Sequence, residues 1–279
     1  MIGVTGATGF VGSHLMDCLG DKGFPIDLRN LSDKDIESLL IKKKCRTIVH
    51  LASPMPSQKL DKQTDLEKTI EELTSRLVKI CQPLGKFYFI NISSIRVHSN
   101  NCEVFSSKSP TNPIDGYGRG KVASERIFID SPHRVISIRS SSVQGIGING
   151  KMRGLVSIFA EQGNSDGVLK VMGNGSTKKD LIHVNDLVTL IINLSLNKPI
   201  DYDISLPVGG NNSLSVLELA EQISTRCNYK IKHVEAASYE LSGVVNNAEI
   251  TTLTGWQPST SIKDMIEEVI NYCGGGMIG

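Results

Sequence analysis

Met1-Ile-Gly-Val-Thr-Gly-Ala-Thr-Gly-Phe-Val-Gly12 opens the chain. The β-rich run Ile2 to Thr5 leads into glycines at 6, 9 and 12, and then into the amphipathic pattern Val11 to Leu19. Strand, glycine triplet and helix in that order predict a dinucleotide-binding turn. The first glycine permits a sharp bend, the second lets backbone N–H groups approach a pyrophosphate, and the third lets the helix pack closely on the strand. The phosphate then rests on the helix N-terminus. Gly6, Thr8, Gly9, Phe10, Val11 and Gly12 become candidate cofactor contacts, with Thr5 and Thr8 serving mainly to support the loop.

Outward from this turn the pattern repeats. Thr47 to Leu51, Phe87 to Ile92 and Val135 to Ile138 read as buried strands, while Ile36 to Ile41, Leu66 to Cys81 and Tyr117 to Ile129 read as helices between them. Such alternation predicts an α/β fold with a doubly wound parallel (Rossmann) sheet. Beyond Gly145 the alternation fades into Gly-, Asn- and Ser-rich loops linking helices at Leu155 to Gln162, Val184 to Leu196, Leu214 to Thr225 and Ile262 to Tyr272. The expected division is a Rossmann domain over 1–145, also taking in about 179–206, and a smaller C-terminal α/β subdomain, mainly 146–279, that binds substrate. Gly274-Gly-Gly276 reads as a tail.

A dinucleotide site also asks for an acidic residue about 20 positions past the glycines, to hold the adenine ribose. Asp27 lies fifteen beyond Gly12. Pro25-Ile-Asp-Leu-Arg-Asn30 is followed by Ser32 as a helix cap with Asp35 three residues on, and reads as the strand after the ribose-binding one. The usual second strand is then shortened or missing between Gly20 and Phe24, and Asp27 with Leu28 faces the adenine base. Arg29 is a candidate partner for a 2′-phosphate, so NAD is expected with NADP left open.

Tyr117-Gly-Arg-Gly-Lys121 places a phenol and an ammonium four residues apart, on one helix face. A free tyrosine titrates near 10, and a neighbouring ammonium and a positively charged nicotinamide both favour the phenolate, which predicts a lowered value and a proton-transfer role. Gly118 and Gly120 inside this helix imply that something approaches its backbone closely. Ser94 follows the strand Phe87 to Ile92, at the sheet edge where ligands bind, and its hydroxyl can steady a reacting oxygen. Ser93 is the competing choice.

The bulk numbers narrow the partners. The 279 residues carry 30 basic and 29 acidic side chains, a formal net charge of +1, with no long run of either sign. No footprint for nucleic acid or membrane is visible, and a small molecule is the expected partner. The six cysteines include no C-x-x-C, and the six histidines show no ligand spacing, so neither a metal nor a disulfide framework is expected. The longest apolar stretch, Leu187 to Leu196, is too short and too interrupted to span a bilayer. A soluble, cytoplasmic protein is expected.

These motifs resemble the extended short-chain dehydrogenase/reductases, in the NAD-dependent epimerase/dehydratase branch that acts on nucleotide sugars. The resemblance rests on Thr5-Gly-Ala-Thr-Gly-Phe-Val-Gly12, Ile48-Val-His-Leu-Ala-Ser53, Ile92-Ser-Ser-Ile-Arg-Val-His98 and Tyr117-Gly-Arg-Gly-Lys121. It continues through Ile138-Arg-Ser-Ser-Ser-Val-Gln-Gly145, Lys179-Asp-Leu-Ile-His-Val-Asn-Asp186, Ser213-Leu-Ser-Val-Leu-Glu-Leu-Ala220 and Leu253-Thr-Gly-Trp-Gln-Pro258. It implies Tyr117 as acid/base, Lys121 on the cofactor ribose, Ser94 on the reacting oxygen, and Leu51, Ala52 and Ser53 beneath the nicotinamide ribose. Ser142 then stands near the substrate and Lys179 against its phosphate, as a point charge where relatives carry arginine.

The departures are also informative. Ile95 and Arg96 occupy the places of the acidic pair that family dehydratases use, which argues against dehydration. His98 replaces a frequent tyrosine, and the third helix offers Thr69, Ile70 and Glu71 where relatives place an asparagine. The expectation is NAD(P)-dependent 4-epimerisation of a nucleoside-diphosphate sugar by a homodimer, with 4-keto-sugar reduction as the alternative. A dinucleotide-sensing or scaffold protein that lost the chemistry is the alternative of another class. Gly163-Asn-Ser-Asp-Gly167 matches a nucleophile-elbow spacing but lacks the preceding strand. His183 with Asp186 reads as a helix-start hydrogen bond, and Trp256 as a core anchor.

Overall fold

In the computed structural model, which describes residues 1–54, 63–99, 102–198, 200–235 and 241–275, the buried run Ile2–Thr5 forms β1. Around it lie β2 (Gly23–Ile26), β3 (Thr47–His50), β4 (Tyr88–Ser94), β5 (Arg134–Ser140) and β6 (Ile204–Val208). They build one six-stranded sheet in the order β6-β5-β4-β3-β1-β2, with every neighbouring pair parallel. The helices are α1 (Phe10–Leu19), α2 (Asp33–Lys42), α3 (Gln63–Cys81), α4 (Gly116–Ile129), α5 (Leu155–Asp166), α6 (Val184–Asn197), α7 (Val216–Cys227), α8 (Ala248–Thr254) and α9 (Ile262–Gly275).

The two faces of the sheet bury different helices, as expected for a doubly wound fold. Leu15 and Leu19 of α1 join Leu187, Leu190, Ile191 and Leu194 of α6 on one face, against Val4, Val49 and Ile90. On the other, Ile36, Leu40, Leu77 and Phe128 from α2, α3 and α4 pack on Ile48, Phe89 and Val135. A third cluster, Phe159, Leu219, Ile223, Ile266 and Val269, joins α5, α7 and α9. Residues 184–208 thus return to the central sheet, while Lys178–His183 runs in a second, four-stranded sheet between Ser213–Ser215 and Ser142–Ile146. Helix α9 reaches Gly275, so most of the expected tail is helical, and Gly276 lies outside the described residues.

The adenine side corrects the sequence expectation. Strand β2 pairs directly with β1, from Ile2 opposite Gly23 to Thr5 opposite Ile26. It fills the place of the missing strand instead of lying beyond it, because only Gly20–Lys22 separates it from α1, too short a link to skip a position. Leu28 is buried with Ile36, Leu40 and Leu77. It belongs to the core and does not face the cleft as expected. The Asp27 carboxylate closes its own turn, accepting from the Arg29 and Asn30 N–H groups at 2.9 and 3.1 Å and from Asn30 Nδ2 at 2.7 Å.

The discounted motifs resolve as structure. Gly163 to Asp166 is the last turn of α5, and Gly167 terminates it in a left-handed conformation (φ +71°), so no elbow forms. His183 caps α6 by accepting from Asn185 N. The Asp186 carboxylate holds the Ser259 and Thr260 N–H groups, and buried Trp256 donates Nε1 to the Asp186 carbonyl at 3.2 Å.

Candidate active site

The carboxyl ends of the parallel strands open into a cleft of about 920 Å³. That is the edge where open α/β sheets bind ligands. Gly6 after β1, Leu51 after β3, Ser94 at the end of β4 and Ser140 at the end of β5 all border it. From the second sheet and α5, Ser142, Lys179, Arg153 and Leu155 form the opposite wall.

The glycine turn is built for close approach. Gly6 adopts φ +68°, and a Cβ there would strike the backbone of Leu51 and Ala52. A Cβ on Gly12 would collide with the Gly6 carbonyl oxygen. Gly12→Ala must therefore push the loop off α1, and the denaturant midpoint is expected to fall by the equivalent of about 1–3 kcal/mol. Gly9 caps α1 without a side-chain hydrogen bond, and the first turn contains no acidic residue. The unsatisfied N–H groups of that turn suit a pyrophosphate. Of the expected cofactor contacts, Gly6, Gly9, Phe10, Val11, Gly12, Leu51, Ser53, Tyr117 and Lys121 line the cleft. Thr8, Asp27, Leu28 and Ala52 are outside its lining, whereas Arg29 is part of it.

Beneath the turn runs a buried polar chain. The Thr5 hydroxyl accepts from the Leu51 and Ala52 N–H groups, both at 3.2 Å, and so donates to His50 Nδ1 at 2.9 Å. His50 Nε2 then carries the hydrogen and donates to Thr74 Oγ1 at 3.3 Å. Burial, with the Lys121 charge nearby, pushes His50 from 6.5 down to about 3. The unfolded chain binds this proton below pH 6.5 and the folded chain does not, so stability present above pH 6.5 is lost as pH falls toward 3. Against a His50→Gln control, the wild type is expected to lose about 3 kcal/mol between pH 6.5 and pH 4, read from urea midpoints.

Tyr117 and Lys121 share one face of α4, as their spacing predicts. Both are buried and both border the cleft. Lys121 Nζ donates to the Ile92 carbonyl at 2.7 Å and lies 5.5 Å from the Tyr117 ring centroid. Burial pulls Lys121 down to about 8, against the Glu125 charge, which raises it. The lowered value expected for Tyr117 counts the nicotinamide charge; the protein's own groups move it upward. Burial pushes the phenol up to about 12; the Arg96 charge and a hydrogen bond with Ser53 act downward without offsetting it. Helix α3 presents apolar Leu66 and Ile70 to the ring.

Ser93 and Ser94 both border the cleft and differ in their neighbours. Ser93 donates to Glu125 Oε1 at 2.5 Å, inside a buried pair in which Arg139 Nε and Nη2 reach the same carboxylate at 3.0 and 2.7 Å. Ser94 accepts from the Arg96 N–H at 3.2 Å and borders the cleft with its own O–H uncommitted to any described residue. Ser142 accepts from Gln144 Nε2 at 2.9 Å, and Lys179 Nζ donates to the Leu241 carbonyl at 3.0 Å.

Sequence reasoning missed Glu125, although its spacing of four from Lys121 carried the signal. It also missed Asp115, the cap of α4, which accepts from Gly118 N at 2.7 Å, and the basic side chains Arg153 and Lys178. Among the described residues no His, Cys, Asp and Glu group could hold a metal ion, and no helix is long and apolar enough to cross a membrane.

The chain is similar to known proteins over most of its length. Among curated proteins, the chain is 22% identical to a UDP-glucose 4-epimerase of Mycolicibacterium smegmatis, covering 96% of this chain and 97% of that one. It is 23% identical to an Escherichia coli dTDP-4-dehydro-6-deoxyglucose reductase, covering 96% and 95%. Among solved structures, MoeE5 in complex with UDP-glucose and NAD superposes with a TM-score of 0.85 at 20% identity, covering 99% of both chains. The model of the "NAD dependent epimerase/dehydratase family" matches residues 2–204. With more than half of its length so matched, the chain belongs to the NAD-dependent epimerase/dehydratase family of oxidoreductase-type enzymes.

Proposed function

We propose that this enzyme interconverts nucleoside-diphosphate sugars epimeric at C4, by Tyr117-assisted hydride transfer. The observation that carries the reading is the convergence of Tyr117, Lys121 and Ser94 on the cleft that the glycine turn opens. NAD, with NADP as the alternative, suits the uncapped N-terminus of α1, where Gly6, Gly9 and Gly12 leave room for a pyrophosphate. When bound, the nicotinamide supplies the hydride acceptor and donor. Tyr117 takes the proton of the C4 hydroxyl and returns it, and the Ser94 hydroxyl donates to the same oxygen as charge develops. Lys121, held by the Ile92 carbonyl, holds the cofactor ribose, and Leu51 and Ser53 close the floor. Lys179 and Ser142, across the cleft, hold the substrate's phosphates and sugar. Residues 1–145, with about 179–206, form the cofactor domain and 146–279 mainly the substrate subdomain, with Ser94 and Ser142 of the first reaching the substrate, in a soluble, cytoplasmic homodimer.

The second reading, reduction of a 4-keto sugar, is favoured by two observations. The chain is about as similar to the Escherichia coli dTDP-4-dehydro-6-deoxyglucose reductase as to the UDP-glucose 4-epimerase, and a phenol that burial pushes upward rests protonated, ready to donate to a nascent alkoxide. The two separate cleanly. An epimerase converts UDP-glucose to UDP-galactose with no added reductant and carries nicotinamide as isolated; a reductase consumes NAD(P)H in proportion to product. Failure of both assays across a panel of sugar nucleotides would sink the proposal.

A further inference from the structure

We infer that Arg96 is a positioning residue for proton transfer, its guanidinium stacked on Tyr117 so that the buried phenolate is stabilised from the substrate side. The inference rests on the proposed acid/base role of Tyr117. The turn Ile95–Val97, which follows β4, projects Arg96 over the phenol, with Cζ 5.6 Å from the ring centroid. Lys121 Nζ, at 5.5 Å from the same centroid, is the second cation on the ring. Lys121 is already committed to the Ile92 carbonyl, whereas Arg96 borders the cleft and keeps 43% of its side chain exposed.

The placement of Arg96 is enforced by two contacts from α4 itself. Asp115, the cap of that helix, receives Arg96 Nε at 2.9 Å and also Nη2. Gly118, one residue past Tyr117, has no Cβ because the Arg96 carbonyl oxygen and Pro113 occupy the space. A glycine in the first turn of a helix costs stability relative to alanine. Here it lets the turn carrying Arg96 lie directly on the turn carrying Tyr117, and the two move as one unit.

The charged groups around the phenol leave Arg96 as the adjustable one. From α4 come Asp115 and Lys121; from α3 come apolar Leu66 and Ile70, with Glu67 occupied by Arg119 at 2.7 Å; from the segment after β3 comes the Ser53 hydroxyl. Arg96 is foremost among the influences that lower the phenol, and Asp115 acts against it. A cation over an aromatic face stabilises negative charge on that ring, and partial exposure to solvent weakens the effect.

The test is a titration of Tyr117 by tyrosinate absorbance, taken as the difference from Tyr117→Phe, with saturating NAD⁺ as the probe. Arg96→Gln is expected to move the titration upward, by an amount equivalent to a three- to tenfold loss of phenolate, about half to one pH unit. Arg96→Lys is expected to restore it. For any sugar nucleotide that turns over, the Arg96→Gln rate then falls at neutral pH and converges on wild type at high pH. A titration unchanged in Arg96→Gln, or a rate deficit constant across pH, would overturn the inference. If Tyr117→Phe itself retains turnover, the acid/base assignment fails instead.

Discussion

Tyr117→Phe is expected to reduce sugar-nucleotide turnover by about 10²–10⁴-fold, the usual contribution of a positioned proton-transfer group, with cofactor binding nearly unchanged. The substitution removes one oxygen from a ring held by Leu66, Ile70, Lys121 and Arg96, so the packing that shapes the cleft survives. A matched measurement of kcat and of NAD⁺ affinity separates the two effects. Turnover within a few-fold of wild type at saturating substrate would remove Tyr117 from the mechanism.

Glu125→Ala is expected to be the most destabilising single change near the site, costing about 3–5 kcal/mol by denaturant unfolding. The Glu125 and Arg139 side chains are only 6% and 9% exposed, and the arginine has no other described acid within reach. Removing the carboxylate strands a buried guanidinium and the Ser93 hydroxyl together. The double variant Glu125→Leu/Arg139→Met removes both charges and is expected to recover much of the loss, because no buried charge is then left unpaired and only the Ser93 hydroxyl loses its partner. Equal instability of the single and double variants would show that volume, and not charge, sets the cost.

Where sequence and structure agree, the information is local. The glycine triplet, the helix spacing of Tyr117 and Lys121, and the Ser32 cap with Asp35 are each set within a few residues, and each formed. The position of Ser94 followed from the strand that ends there. Where they differed, the deciding partner was distant in the chain. Leu28 is expected at the adenine because Pro25 to Asn30 reads as the strand after the ribose-binding one, but β2 pairs with β1 itself and Leu28 packs with Leu40 and Leu77 in the core. The lowered titration expected of Tyr117 counts the ammonium four residues away and the nicotinamide charge; among the protein's own groups, burial against Leu66 and Ile70 of α3 outweighs the cations and pushes the phenol up.

Period, glycine placement and helix spacing were sufficient by themselves to specify a parallel sheet wound on both faces and a phenol–ammonium pair at its ligand edge. Backbone sterics and the 3.6-residue helical repeat act over short separations, so one strand of sequence carries them in full. Only the tertiary structure decided that β2 closes against β1, that Ser93 serves Glu125 while Ser94 faces the cleft, and that Arg96 lies on Tyr117. Those outcomes depend on desolvation and on contacts between residues twenty or more apart, which no local pattern encodes.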